Sequence, residues 1–561
     1  MFSLSKLALI ATLLSVNPTY ALWPRPAQLS TGTTTLRLSP SFDIKLPDGA
    51  PSDLKDAVDR AKAELKGDKL ERLVVGRGSG DAPRIKSARE LKTVQLKYDG
   101  SSKGKKIQDE AITALGTRDE AYTLSVPADG NAAVISANST LGLFRGLTTF
   151  TQMWYTYDSY TYTAEAPYAI TDKPAYPYRG LHLDTARNYF PVADIKRTLD
   201  AMSWVKLNQF HWHIVDSQSF PLTLSKFPEL AAKGAYSSKQ IYSEADVKGI
   251  ITYAAQRGID VMLEIDTPGH TAIIGESHPE YIACMHKTPW ATYANEPPAG
   301  QLRLANPEVR KFTADLFSAL LNPLKGLGTL FSSGGDEINA KCYAEDEETQ
   351  KQLQNQGLDF EGALNVFTNQ THKAIRDAGR TPVVWEEMIL NHNVTLPQDT
   401  IALVWISSAN VASVVNKGYR VIHAPSDFFY LDCGAGGWVG SFPSGNSWCD
   451  PFKTWQKASQ SANAYSFDPL NGTTGDQASL VMGGQSLLWT EQSDPSNLDS
   501  IVWPRAAAGA EVFWTGGNRN VTEALPRLHD IRYRMVQRGV RAIALQPEWC
   551  AVRPYACDLT A

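Results

Sequence analysis

The stretch YRGLHLDTARNYFPVADIKRTLDAMSWVKLNQFHWHIVD, residues 178–216, sets the rhythm of the longer part of the chain. Residues 178–183 form a short apolar run, residues 192–202 carry apolar side chains at helical spacing, and residues 208–215 form a second apolar run. Two strands joined through a helix lie parallel, because a parallel return needs a long crossover. The same alternation recurs downstream. Runs at 258–265, 330–335, 381–385, 401–405, 420–423 and 479–489 complete eight candidate strands, and amphipathic segments at 243–257, 307–321 and 360–377 fit between them. Eight strand–helix units predict an α/β fold of the (β/α)8 TIM-barrel kind, with its functional residues on the loops that follow the strands' C-terminal ends. A doubly wound sheet normally has fewer parallel strands and often a glycine-rich first turn, which is absent.

Ahead of a proline-marked boundary at 173–178 the pattern differs. Residues 54–65 and 141–154 read as helices, and residues 121–126 and 133–137 as strands about an Asp-Gly-Asn turn, predicting a small α+β domain. Residues 76–106 are rich in Gly, Ser, Lys and Arg with weak periodicity, and read as a surface loop or an exposed processing site.

The chain of 561 residues is long enough for at least two folding units. A net charge of -5 with dispersed basic residues excludes an electrostatic footprint for nucleic acid. Residues 1–21 carry Lys6, an apolar stretch from Leu7 to Leu14, and small or permissible residues at Thr19 and Ala21, the layout of a cleaved secretory leader. That stretch is too short to span a membrane. Six cysteines fit an oxidising destination. Fifteen pairings are possible on paper; Cys550 and Cys557 close a short loop, Cys433 and Cys449 flank a Gly/Ser-rich stretch, and Cys284 is left for Cys342. Acceptor sequons stand at Asn138, Asn369, Asn393, Asn471 and Asn520.

Polar residues cluster where the candidate strands end: Asp184 and Arg187; His211, His213, Asp216 and Gln218; Glu264, Asp266 and His270; Asp336 and Glu337; Trp385, Glu386 and Glu387; Trp405; Trp489 and Glu491. Carboxylates and indoles at one rim describe a carbohydrate pocket, because sugar hydroxyls match polar acceptors and a pyranose face stacks on an aromatic ring. In Gly334-Gly335-Asp336-Glu337 two glycines permit backbone conformations or close approach denied to other residues. Glycosidic cleavage needs a proton at the leaving oxygen and negative charge or a nucleophile near the anomeric carbon. Glu337 fits the acid if burial and its neighbour raise its pKa while Asp336 stays ionised. A solvated acidic turn or a Mg²⁺-binding pair is the competing reading. His211 and His213 share a strand face and with Asp216 can begin a zinc site, although a hydrogen-bonded network that orients carboxylates uses the same residues. No serine elbow, H-E-x-x-H or phosphate-binding loop is present.

Residues 179–190 (RGLHLDTARNYF), 211–221 (HWHIVDSQSFP), 266–270 (DTPGH), 334–337 (GGDE), 430–432 (YLD) and 488–491 (LWTE) together resemble glycoside hydrolase family 20, in particular secreted fungal β-N-acetylhexosaminidases. The resemblance implies a retaining exo-enzyme that removes terminal β-linked GlcNAc or GalNAc from chitooligosaccharides and glycoconjugates. It implies Glu337 as general acid and then base, and Asp336 as the carboxylate that orients the substrate's acetamide for attack on the anomeric carbon. By the same resemblance Arg179 binds sugar hydroxyls, Trp385, Trp405 and Trp489 wall the pocket, Tyr430 donates to the acetamide oxygen, and Asp432 and Glu491 hold distal hydroxyls. His213, Asp216 and His270 form a supporting network, with no metal or cofactor and no nucleic-acid or membrane partner.

Ser217 departs from the pattern of some animal relatives, which carry an acidic residue there. The implied layout is a leader over 1–21, a pro-segment over 22–105 that overlaps the start of the small domain, the rest of that domain over 106–172, and the barrel with a C-terminal extension over 173–561, assembled as a homodimer with the processed pro-segment attached. Competing readings are structural tryptophans, an Arg179–Asp184 ion pair, a disaccharide-releasing relative and a catalytically silent glycan-binding barrel.

Overall fold

The computed structural model describes residues 21–99, 104–440, 445–458, 464–465, 475–517 and 519–559. Residues 1–20, which hold nearly all of the expected leader, and the sequon at Asn471 lie outside the described residues. The other four sequon asparagines are exposed. No helix among the described residues is long and apolar enough to cross a membrane.

The eight strands of the closed parallel barrel are Tyr178–Asp184, Gln209–Val215, Asp260–Ile265, Leu330–Ser332, Thr381–Trp385, Ile401–Val404, Arg420–His423 and Val481–Leu488, here numbered first to eighth. Each lies within a run expected from the sequence, except for one extra residue at the end of the first. The first three and the eighth are buried along their whole length, as strands covered on both faces must be. Helices Val192–Trp204, Glu244–Ala255, Pro307–Leu321 and Phe360–Asp377 form part of the outer ring. Their starts follow local chemistry. Ser243 and Asp246 make a reciprocal capping box, and Asn306 caps a helix whose first residue is Pro307.

The small domain is a six-stranded sheet in the order Gln28–Lys45, Arg89–Tyr98, Ala133–Ala137, Tyr122–Val126, Tyr160–Asp172, Tyr155–Tyr157, with the first strand also pairing antiparallel to Tyr160–Asp172. Helices Ser52–Gly67 and Thr140–Thr151 share its apolar core. The expectation of a loop over 76–106 is corrected: Arg89–Tyr98 is an inner strand, paired parallel on both sides. Its buried residues Leu91, Val94 and Leu96 are few and spaced with a break in alternation, so charged neighbours masked the period.

The two parts share a polar seam. Trp514, on the helix Arg505–Thr515 that follows the eighth strand, joins the small domain's core and donates through Nε1 to Asp172 at 2.9 Å. Lys206 reaches the same carboxylate at 3.0 Å. The three disulfides pair as expected: Cys284–Cys342, Cys433–Cys449 and Cys550–Cys557.

Candidate active site

A cavity of about 340 Å³ opens at the C-terminal ends of the barrel strands. Asp336, Glu337, His270, Trp405, Tyr430, Asp432, Trp489 and Glu491, all singled out from the sequence, line it. The turn after the fourth strand presents the two carboxylates. Gly334 and Gly335 lie at φ +67° and +96°, and a side chain at Gly334 would place its Cβ 1.8 Å from Asp266 Oδ1. The glycines therefore let the backbone close on Asp266, which accepts from Gly335 N at 2.8 Å. Glu337 itself sits at φ +53° and His270 at +54°, conformations that cost energy for residues with a Cβ.

The two carboxylates have different neighbours. Asp336 is nearly buried, and burial first, then the facing Asp266, hold its pKa well above the usual carboxylate range. Asp266 itself, for the same reason of burial, is raised to about 7. Glu337 goes the other way: burial alone would raise it, but the hydrogen bond from His270 prevails and lowers it. His270 Nε2 lies 3.3 Å from Glu337 and 3.8 Å from Asp336. The expectation from adjacency is Glu337 raised and Asp336 ionised; the surroundings push each group the other way, because the imidazole lies nearer Glu337 and a second carboxyl faces Asp336.

Behind His270 runs a buried chain. His270 Nδ1 donates to Asp216 Oδ1 at 3.2 Å, His213 Nε2 to Asp216 Oδ2 at 2.6 Å, and His213 Nδ1 to Glu264 Oε1 at 2.5 Å. Burial would lower His213, yet the bonds to Asp216 and Glu264 carry it up to about 9. Trp212, between the two histidines, points outward and donates to Thr185, as strand alternation requires.

Aromatic walls enclose the cavity. Trp405 stacks with Tyr430 at 6.4 Å between ring centres, and its indole N–H donates to Glu387 at 2.9 Å. Glu387, buried beside Asp336, is raised to about 8. Trp385 lies 6.1 Å from Trp489, almost wholly buried, so it backs the wall rather than facing the opening. Asp432 accepts from Trp489 N at 3.3 Å and burial raises it to about 7.

Arg179 requires correction. It stands near the N-terminal end of the first strand, fully buried at the seam with the small domain, with Nη2 on Glu120 at 2.6 Å and its guanidinium over Trp514. It pairs with neither a pocket group nor Asp184. Arg187, beyond the C-terminal end of the same strand, is the arginine that lines the cavity. It reaches Asp216 at 2.9 Å, Asp184 at 3.4 Å and Glu296. The rule that barrel sites gather at C-terminal strand ends separates the two arginines. Asn295, Glu296 and Trp448 also line the cavity. They come from loops with no periodic signal, so sequence reasoning passed over them.

The family profile described as glycosyl hydrolase family 20, catalytic domain, matches residues 176–517, and one described as beta-acetyl hexosaminidase like matches residues 22–153. A beta-hexosaminidase of Arthroderma benhamiae is 38% identical over 464 residues, covering 79% of this chain and 74% of the relative. A chitooligosaccharidolytic beta-N-acetylglucosaminidase of Ostrinia furnacalis is 34% identical over 552 residues, 94% of this chain and 88% of the relative. Among solved structures, an N-acetyl-beta-hexosaminidase of Streptomyces plicatus shares the fold, with a TM-score of 0.69 at 22% identity, covering 95% of this chain and 98% of that one.

Proposed function

The chain belongs to glycosyl hydrolase family 20, and from that premise we propose that it is a retaining exo-β-N-acetylhexosaminidase acting on terminal β-linked GlcNAc or GalNAc, chitooligosaccharides included. The observation that carries this reading is the pair Asp336 and Glu337 opening side by side into one aromatic-walled cavity, bridged by His270. The Ostrinia furnacalis relative, chitooligosaccharidolytic by name, supports the substrate class.

In the proposed cycle the acetamide N–H of the substrate donates to Asp336 and favours its ionised form. The displaced proton has His270 within reach, and Glu337 beyond it, so Glu337 takes the proton it then gives to the leaving oxygen. The acetamide oxygen bonds to the anomeric carbon as the glycosidic bond breaks, and Asp336 balances the positive oxazolinium. Water, deprotonated by Glu337, opens that ring with net retention. Arg187, Asp432 and Glu491 hold ring hydroxyls, and Trp405, Tyr430 and Trp489 enclose the acetamide and the pyranose face, with Tyr430 donating to the acetamide oxygen.

We further propose that the protein is exported, supported by its three disulfides and exposed sequons. A pro-segment over 22–105 would stay attached after a cut between Arg84 and Lys106, because Gln28–Lys45 pairs with Tyr160–Asp172 whatever the state of that connection. Homodimerisation is proposed from the resemblance alone.

The test compares matched β-GlcNAc and β-glucosides alongside a thiazoline analogue of the cyclic intermediate. Strong dependence on the acetamide, retention and tight thiazoline binding are expected. Comparable turnover of both glycosides, no thiazoline binding and a sugar ester trapped on a protein carboxylate would overturn the mechanism.

A further inference from the structure

TIM barrels fill their interior with layers of branched apolar side chains. In this barrel one level is polar: His182 on the first strand, His211 on the second, Glu264 on the third, Ser332 on the fourth and Gln485 on the eighth, all buried. Four of these five satisfy one another. Gln485 Oε1 accepts from Tyr178 OH at 2.7 Å, which leaves Gln485 Nε2 to donate to His211 Nδ1 at 3.1 Å. His211 therefore carries its proton on Nε2 and donates it to Glu264 Oε2 at 3.0 Å, an oxygen that also accepts from Ser332 Oγ. His182 differs. It is wholly buried and neither ring nitrogen has a hydrogen-bond partner among the described residues. A buried polar group left unmet is unfavourable and calls for a specific explanation, a bound water or ion among them.

One ligand atom from each of His182, His211 and Glu264 lies within 4.8 Å of the other two. Zinc binds imidazole nitrogen and carboxylate oxygen at about 2.0–2.2 Å, so its tetrahedral ligand atoms stand about 3.3–3.5 Å apart. The 3.0 Å between His211 Nε2 and Glu264 Oε2 is close to that separation, and a His182 ring nitrogen lies within 4.8 Å of both. Two imidazoles and a carboxylate are an established zinc donor set, with a fourth position for water or the Ser332 hydroxyl.

We propose that His182, His211 and Glu264 form a Zn²⁺ site inside the barrel, directly beneath the floor of the pocket. Binding moves the His211 proton from Nε2 to Nδ1, where the Gln485 amide, turned over, accepts it through Oε1, and the freed Nε2 lone pair goes to the metal, so the ligand is a neutral imidazole and no proton is lost to solvent. The ring of His182 lies 4.3 Å from that of Trp489, and His211 lies 5.9 Å from Trp385, so the indoles cap the site and entry of the ion is slow. Turnover does not need this ion. Resting on the hydrolase reading, occupancy is inhibitory, because Glu264 holds His213 through its other oxygen and the metal draws that charge away from the chain behind His270.

The experiment loads the full chain with one equivalent of Zn²⁺, removes free metal, and combines metal analysis with zinc K-edge X-ray absorption. One zinc per chain with two imidazoles in its first shell is expected. His182→Phe and Glu264→Gln should each weaken binding by about 100-fold or more, beyond what loss of a group supporting a ligand does, while His286→Ala, an exposed histidine, should not. No retained zinc, a first shell without imidazole, or His182→Phe binding as tightly as the parent would overturn the site and leave a buried water as the partner of His182. If His182→Phe does not fold, the spectrum of the unaltered protein decides alone. Zinc bound with that spectrum upholds the site even if the chain hydrolyses no hexosaminide, so the two readings fail separately.

Discussion

Glu337 and Asp336 are adjacent in sequence and unlike in surroundings, and their roles follow from the surroundings. Glu337 has His270 beside it and a backbone held at φ +53°; Asp336 has Asp266 and little solvent. If Glu337 delivers the proton, Glu337→Gln should cut kcat/KM by about 10²–10⁴-fold for sugar leaving groups and far less for activated aryl groups, which depart with little protonation. A leaving-group series at fixed pH measures this, and an equal loss across the series would remove Glu337 from the role. Arginine identity was the weak point at this scale. Arg179 is the second residue of the first strand and Arg187 follows its C-terminal end, and the rule that sites gather at C-terminal strand ends, applied to each arginine in turn, selects Arg187.

At the scale of elements, the turn between the fourth strand and its carboxylates depends on glycine. Gly334→Ala places a methyl within 1.8 Å of Asp266 Oδ1 in a left-handed backbone, so Asp266 must leave its bond to Gly335 N and Asp336 must shift with it. Displacements of an ångström at a reacting centre cost about 10²-fold, and a fall of kcat of that order is expected, with a lowered Tm. Gly357→Ala is the comparison: its φ is +63° but nothing lies within 4 Å, so it should cost about 1–2 kcal/mol of stability and leave kcat unchanged. Equal kcat in the two variants would show that the turn does not position Asp336. The glycine pair was legible in the sequence as a device for close approach. Its partner was not, since Asp266 lies 68 residues before Gly334, at the end of a different strand.

Over the whole molecule, the seam between the small domain and the barrel is ionic as well as apolar. Glu120 accepts from Arg145 at 2.8 Å and from Arg179 at 2.6 Å, all three fully or nearly buried. Burial would raise Glu120, but Arg179 and then Arg145 outweigh it and hold it at about 2; Arg179, lowered by burial to about 10, stays charged. A carboxylate with its folded pKa depressed from about 4.5 to about 2 contributes stability that is full above pH 4.5 and is lost as pH falls through 2, worth up to roughly 3 kcal/mol. Melting followed between pH 6 and 2 should show this loss, and Glu120→Gln should lower the Tm at pH 6 while flattening the acid limb. An unchanged acid limb in the variant would mean that other carboxylates govern it.

The amino-acid sequence by itself determined the barrel, its eight strands to within a few residues, the small domain ahead of it, the disulfide partners, and the acidic and aromatic residues that line the cavity. The strands and helices are legible because strand burial and helix amphipathicity are local, periodic properties and polar residues stand out at strand ends, whereas Tyr430 and Asp432 are legible only through the family resemblance. Only the tertiary structure decided that Arg89–Tyr98 is an inner strand, that Arg179 is taken up by Glu120 at the seam, that Glu296 and Trp448 join the pocket, and that Asp266 faces Asp336 while His270 lies beside Glu337. Each of those depends on which groups from distant segments face one another at a few ångströms, where charge and burial act, and no spacing along the chain encodes that distance.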